Sequence, residues 1–191
     1  MARREVPIGP TPAQLRAAAD NVLPDVLAGG LRVVFCGINP GLYSAYTGHH
    51  FARPGNRFWP ALHRSGFTPS LLAPHEQPAL LGLGLGLTNI VARATATAAE
   101  LSRAELVAGG RRLSRIAEEL MPAYFAVLGV TAYRVAFDRP KAGVGEQPER
   151  LASSRLWVLP NPSGLNAHYT PASLAEVYAR FRSAVDLDEG G

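Results

Sequence analysis

The sequence predicts an α/β domain built around a central, mainly parallel β-sheet, and three observations predict it. Compact apolar runs of strand length recur at Leu31-Arg32-Val33-Val34-Phe35-Cys36, at Tyr124-Phe125-Ala126-Val127-Leu128 and at Leu156-Trp157-Val158-Leu159. Each run is closed by Gly or Pro, namely Gly37, Gly129 and Pro160. Helical patterns lie between and after them, and strands alternating with helices build parallel sheets.

In chain order, Thr11-Pro12 is a cap followed by a first-turn proline. It predicts a helix over 11–28 that Pro24 ends or bends before Gly29-Gly30. The first apolar run, with its β-branched residues, reads as a buried central strand feeding the loop that begins at Gly37. Residues 81–87 alternate Leu and Gly, which fits either a weak strand or a turn-rich loop. Ser102 and Glu105 have capping-box spacing. Beyond an interruption at Gly109-Gly110, Leu113, Ile116, Ala117 and Leu120 then repeat at helical intervals. Thr170-Pro171 starts the last helix, with Leu174, Val177, Tyr178 and Phe181 on one face. The acidic, Gly-terminated tail over 186–191 is expected to fray.

The chain of 191 residues is expected to form one domain over 1–191, residues 1–30 being an N-terminal helical extension. Hydrophobic residues make up 47% and charged ones 18%, which argues against disorder. No apolar run approaches the roughly 20 residues of a membrane span. The basic start Met1-Ala2-Arg3-Arg4-Glu5 has no apolar stretch behind it, so no signal peptide, no membrane partner and a cytoplasmic location are expected. A single cysteine, Cys36, excludes a disulfide framework, a Cys₄ zinc site and a Cys₄ iron–sulfur cluster. Inside a predicted strand it reads as an inert small hydrophobe.

The net charge is +4, but its distribution is more informative. No Asp or Glu stands between Asp25 and Glu76, a stretch holding Arg32, Arg53, Arg57 and Arg64 with His49, His50, His63 and His75. Such a window suits a surface that meets phosphates. The one lysine, Lys141, is not in a Gly-Lys-Ser/Thr triplet, so a Walker A loop is absent. Gly37 and Gly41 do not complete a dinucleotide-binding G-x-G-x-x-G, and no serine sits in G-x-S-x-G. His49-His50 lack further ligands around them, and no metal or other cofactor is expected.

Ligands of parallel α/β sheets bind outside the carboxyl ends of the strands. Two predicted strand ends carry loops rich in Pro, Gly and amide side chains, Gly37-Ile38-Asn39-Pro40-Gly41 and Pro160-Asn161-Pro162-Ser163-Gly164-Leu165-Asn166. With Phe51-Ala52-Arg53-Pro54-Gly55-Asn56-Arg57-Phe58-Trp59 between them, these motifs resemble those of mismatch-specific uracil-DNA glycosylases. That family is the bacterial branch of the thymine-DNA glycosylases, and the resemblance covers roughly residues 31 to 185. It implies a three-layer α/β/α domain without a metal. The implied activity removes uracil, and related pyrimidines, from mispairs with guanine in double-stranded DNA. A monomer is expected.

By that resemblance, Asn39 positions the attacking water and Phe51 stacks on the flipped base. Backbone N–H groups near Ile38 and Phe51 bond its carbonyl oxygens, and Asn161 belongs to the same base-binding set. Asn89 stands where relatives can carry Lys, and either lines the pocket or terminates a strand. Leu165 is the wedge that fills the gap left by the flipped base, and Gly164 faces the widowed guanine. Ser44 and Ser163 bond phosphates, with Gly41 and Asn166 beside them on the DNA side. One position departs from the family: relatives commonly carry an acidic residue where this chain has Ala92. Either Ala92 is natural and leaves Asn39 alone, or it is a substitution that disables the enzyme. Two readings follow, a monofunctional glycosylase or a mismatch-binding module of the same fold without turnover. A nucleotide hydrolase acting on small molecules would need carboxylates or a metal near the phosphates, and the acid-free window over 26–75 opposes it.

Overall fold

The computed structural model describes residues 9–189; the basic start Met1–Glu5 and the last two residues of the tail lie outside them. Five strands form one sheet: β1 (Val33–Gly37), β2 (Leu85–Asn89), β3 (Tyr124–Leu128), β4 (Gly145–Leu151) and β5 (Ser154–Leu159). Their order is β2-β1-β3-β5-β4, parallel throughout except that β4 runs antiparallel to β5. β1, β2 and β3 are buried along their whole length. Apolar residues on both faces are what a sheet covered on both sides requires.

Alternation along the strands divides the core in two. Val33 and Phe35, with Tyr124, Ala126 and Leu128, face α3 (Phe58–Arg64) and α7 (Pro171–Glu189) through Phe58, Leu62, Tyr178 and Phe181. Val34 and Cys36, with Phe125 and Val127, face α5 (Arg103–Leu120) and α6 (Val130–Ala136) through Leu113, Ala117 and Tyr133. Three layers result, helices on each side of the sheet. Burial among these side chains raises the Cys36 thiol pKa far above its ordinary value, so it stays protonated and packs as an apolar group.

The predicted helix over 11–28 is much shorter. α1 covers only Pro12–Ala17, capped by Thr11, and the chain then turns at Asp20 with φ of 63°. Residues 20–26 instead run antiparallel to β2 and to the segment that follows it: Val26 exchanges bonds with Leu87 (2.9 and 2.8 Å), and Leu23 N–H donates to Ala92 O (3.2 Å). The reason is topological. β2 is the edge of the sheet, and its unpaired backbone groups take this segment as a partner in preference to a helix.

Residues 81–87 divide between α4 (Ala79–Gly82) and β2. Gly109-Gly110 does not interrupt α5, which passes through both. A Cβ at Gly109 would lie 2.3 Å from Ile90 O, and one at Gly110 2.4 Å from Ala136 O. The glycines let the helix touch neighbouring backbone. β4 was not foreseen, because Pro148 and its polar alternation hide an edge strand. The tail expected to fray from 186 is helical to Glu189, with Val185 buried and Arg182 paired to Asp186 one turn on. The remaining helix, α2 (Leu42–Thr47), follows the first loop.

Candidate active site

A cavity of about 160 Å³ opens at the carboxyl ends of β1, β2, β3 and β5. Gly37 makes its floor possible: a Cβ there would meet Asn89 Oδ1 at 2.4 Å and Phe51 Cζ at 3.2 Å. Phe51 is held at φ of 54°, a left-handed conformation costly for a bulky residue. Its neighbours fix it there. His50 N–H donates to Gln77 Oε1 (2.8 Å), and Ala52 N–H donates to the buried Ser44 Oγ (3.1 Å). The Phe51 ring stacks on buried Phe58 with centroids 4.0 Å apart and planes 26° from parallel. One aromatic face is thus occupied, and the ring is part of the cavity wall.

Two amides in this cavity have their orientation fixed by what surrounds them. His50 is 1% exposed, and its Nε2 lies 3.0 Å from Pro24 O. A carbonyl only accepts, so Nε2 carries the hydrogen and Nδ1 is the bare nitrogen. Nδ1 then accepts from Asn89 Nδ2 at 3.4 Å, which leaves Asn89 Oδ1 beside Gly37 at the cavity floor. Burial lowers the His50 pKa, which keeps this neutral tautomer in place.

Asn39 is fixed in the same manner. Its Nδ2 faces Thr95 Oγ1 (2.6 Å), Arg93 O (3.2 Å) and Pro40 O (3.2 Å). Thr95 Oγ1 donates onward to Thr97 O at 2.7 Å, so it accepts from Asn39. The amide hydrogens are committed, and Oδ1 is the atom free to accept a bond from water. Arg93 supplies one of these anchors from a braced position. Its guanidinium bonds Glu105 (2.8 Å) and Asp20 (2.8 Å). The Ser102 backbone N–H and Arg93 together pull the Glu105 pKa down to about 2.

The expected site residues separate into three groups. Ile38, Asn39, Gly41, Ser44, Phe51, Asn89, Asn161 and Ser163 line the one cavity. Gly164 and Leu165 form an adjoining cleft with Ser163, Arg53 and Gly55, and Leu165 is 77% exposed. Asn166 lies in the same loop and donates from Nδ2 to Asn161 O (2.9 Å). Ala92 is not brought to the cavity. It sits half-buried beyond β2, its carbonyl accepting from Leu23 N–H (3.2 Å), and residues 95–98 form that wall instead. Ser44, expected on the DNA side, is buried, and its hydroxyl holds the Phe51 turn.

Sequence reading missed His50 and Thr95 as parts of this site. His50 was legible only as half of a histidine pair, and Thr95 carries no motif signal. No carboxylate lines the cavity among the described residues. The chemistry available is therefore that of amide and hydroxyl groups, backbone N–H, the neutral His50 imidazole and the Arg53 guanidinium, around the Phe51 ring. Such a site can hold a neutral heterocycle, favour negative charge developing on it, and orient a water.

A family model described as the uracil DNA glycosylase superfamily matches residues 24–182. That span contains every strand of the sheet, all the cavity-lining positions but Leu23, and the loop that carries Leu165. The family's description is one of DNA glycosylase activity on uracil, and a cavity with an aromatic wall and no carboxylates is suited to a pyrimidine. The chain belongs to the uracil DNA glycosylase superfamily.

Proposed function

We propose that this protein is a monofunctional, mismatch-specific uracil-DNA glycosylase of the thymine-DNA glycosylase branch. It acts on uracil, or a related damaged pyrimidine, opposite guanine in double-stranded DNA. The observation that carries the reading is Asn39, whose NH₂ is held by three oxygens so that Oδ1 alone remains for water. The extruded base stacks against Phe51 with its polar edge toward Asn89 Oδ1. In that position an imide N–H would donate to the amide oxygen.

Cleavage breaks the bond between the sugar C1′ and the base nitrogen, and the electron pair leaves with the base. Charge then develops with opposite sign on the two halves, oxocarbenium-like on the sugar and anionic on the pyrimidine. Donors aimed at the pyrimidine oxygens stabilise the anion. The water held by Asn39 adds to C1′ and loses its proton to solvent, since an amide is no base at neutral pH. Doing without a general base forfeits about 10²–10⁴ in rate, so turnover is slow. Lys141 is exposed and lines a different cleft with Val144 and Pro148, which supports a hydrolytic enzyme leaving an abasic site.

The absence of carboxylates from the cavity also favours a second reading, a mismatch-binding form of the same fold without turnover. An alkali-dependent nicking assay on G·U, A·U and single-stranded uracil oligonucleotides separates the two. The glycosylase reading expects alkali-labile product first and fastest on G·U. Tight G·U binding with no product would favour the binding module. Ala92→Asp in the same assay measures what the acidic residue of relatives would add.

A further inference from the structure

We infer that Arg57 is a positioning residue that holds the 160–169 loop in its DNA-ready shape, an inference that rests on reading Leu165 as the wedge. The loop contains neither helix nor strand. Its internal bonds run from Ser163 N–H to Asn161 Oδ1 (2.9 Å), Leu165 N–H to Ser163 Oγ (3.2 Å), and His168 N–H to Asn166 Oδ1 (3.1 Å). These close the loop on itself and do not tie it to the cavity.

Arg57 makes that tie. Its backbone N–H donates to Pro162 O (2.9 Å), and its Nη2 donates to Ser163 O (2.6 Å) and Asn166 O (2.7 Å). Nη1 donates to Tyr169 O. Four carbonyls over eight residues converge on one side chain and its own amide. The anchor itself is rigid, because Arg57 caps α3, whose next residues Phe58 and Trp59 are 0% and 4% exposed. Gly164 rests on the same support: a Cβ there would lie 2.5 Å from Gly55 O. The exposed Leu165 thus sits on a brace made by residues 55–57.

A planar fork with several donors suits this task, whereas an ammonium is a single point. No carboxylate among the described residues pairs with Arg57. Its charge is therefore spent on carbonyl dipoles directly beneath the part of the protein that must approach phosphates. Ordering the loop beforehand removes that cost from the step in which the wedge enters the base stack.

The test is single-turnover uracil excision from a G·U duplex by Arg57→Met, Arg57→Lys, Leu165→Ala and the double variant Arg57→Met/Leu165→Ala. Amide hydrogen exchange is followed in each protein. Both Arg57→Met and Leu165→Ala should lose at least about tenfold, since misplacing a positioning group costs on the order of 10–100-fold. The double variant should fall no more than about twofold below the worse single variant, because both act through one loop. Arg57→Lys keeps the charge and decides the matter if the methionine variant does not fold; it should lose at least about fivefold. Exchange at 163–169 should quicken in both Arg57 variants while β1 and α5 keep their protection. Excision within about twofold of the unaltered protein in the folded Arg57 variants, or losses that multiply in the double variant, overturns the positioning role alone. An unaffected Leu165→Ala removes the wedge reading, and this inference with it.

Discussion

Asn39 has two amide hydrogens and three oxygens arranged to receive them. That excess of acceptors dictates which end of the side chain meets water. Replacing Asn39 with Ala should cut uracil excision by at least about tenfold while G·U duplex affinity, read by fluorescence anisotropy, stays within about twofold. Loss of affinity with unchanged single-turnover chemistry would instead make Asn39 a DNA-binding group. Leu165, 77% exposed, makes the complementary prediction. Leu165→Ala should weaken binding to a mispaired duplex more than to single-stranded substrate, since only the duplex has a stack to refill. Its exposure also predicts little loss of stability, against about 2–5 kcal/mol for a buried leucine cut to alanine. The placement of Asn39 and Leu165 was legible because each lies in a motif that follows a strand end. His50 was not, since its role depends on Pro24 and Asn89, 26 and 39 residues away. Burial sets its pKa below the ordinary 6.5. The unfolded chain therefore takes up the proton first as pH falls. Stability from this group is complete above about pH 6.5 and is lost as pH drops through the lower folded value. Urea midpoints should fall from about pH 8 to about pH 5.5, and His50→Gln should flatten that slope. An unchanged slope in the variant would remove His50 as its source.

At the scale of elements, α5 shows why local propensity is an incomplete guide. Two adjacent glycines inside a helix cost roughly 1 kcal/mol each relative to alanine. They are present because α5 lies against the carbonyls of Ile90 and Ala136. Gly109→Ala should therefore destabilise the protein by about 1–3 kcal/mol despite the better helix former, through overpacking. A raised denaturation midpoint would mean that the helix can move away. The same contest decided the N-terminal segment, where Thr11-Pro12 starts a helix that ends after six residues. No local signal announces that residues 20–26 are needed along the edge of β2. The buried strands, the Ser102–Glu105 cap and the final helix were legible because burial and capping leave periodic or fixed-spacing marks. β4 was hidden, as edge strands with Pro and charged residues usually are.

For the molecule as a whole, the parallel sheet gathers loops that are distant in sequence onto one end. The acid-free window over 26–75 supplies much of that end, from Gly37 to Asn56, and the cavity accordingly contains no carboxylate. The chain's one lysine, Lys141, lines another cleft. The proposed function accordingly expects hydrolysis without a covalent amine intermediate. The most direct test is single-turnover reaction of the unaltered protein with a G·U duplex, with the product divided into untreated, alkali-treated and borohydride-treated portions. A monofunctional glycosylase should give free uracil, strands that break only after alkali, and no protein–DNA adduct. Binding without uracil release, or a trapped adduct with strands cleaved before alkali, would contradict that function.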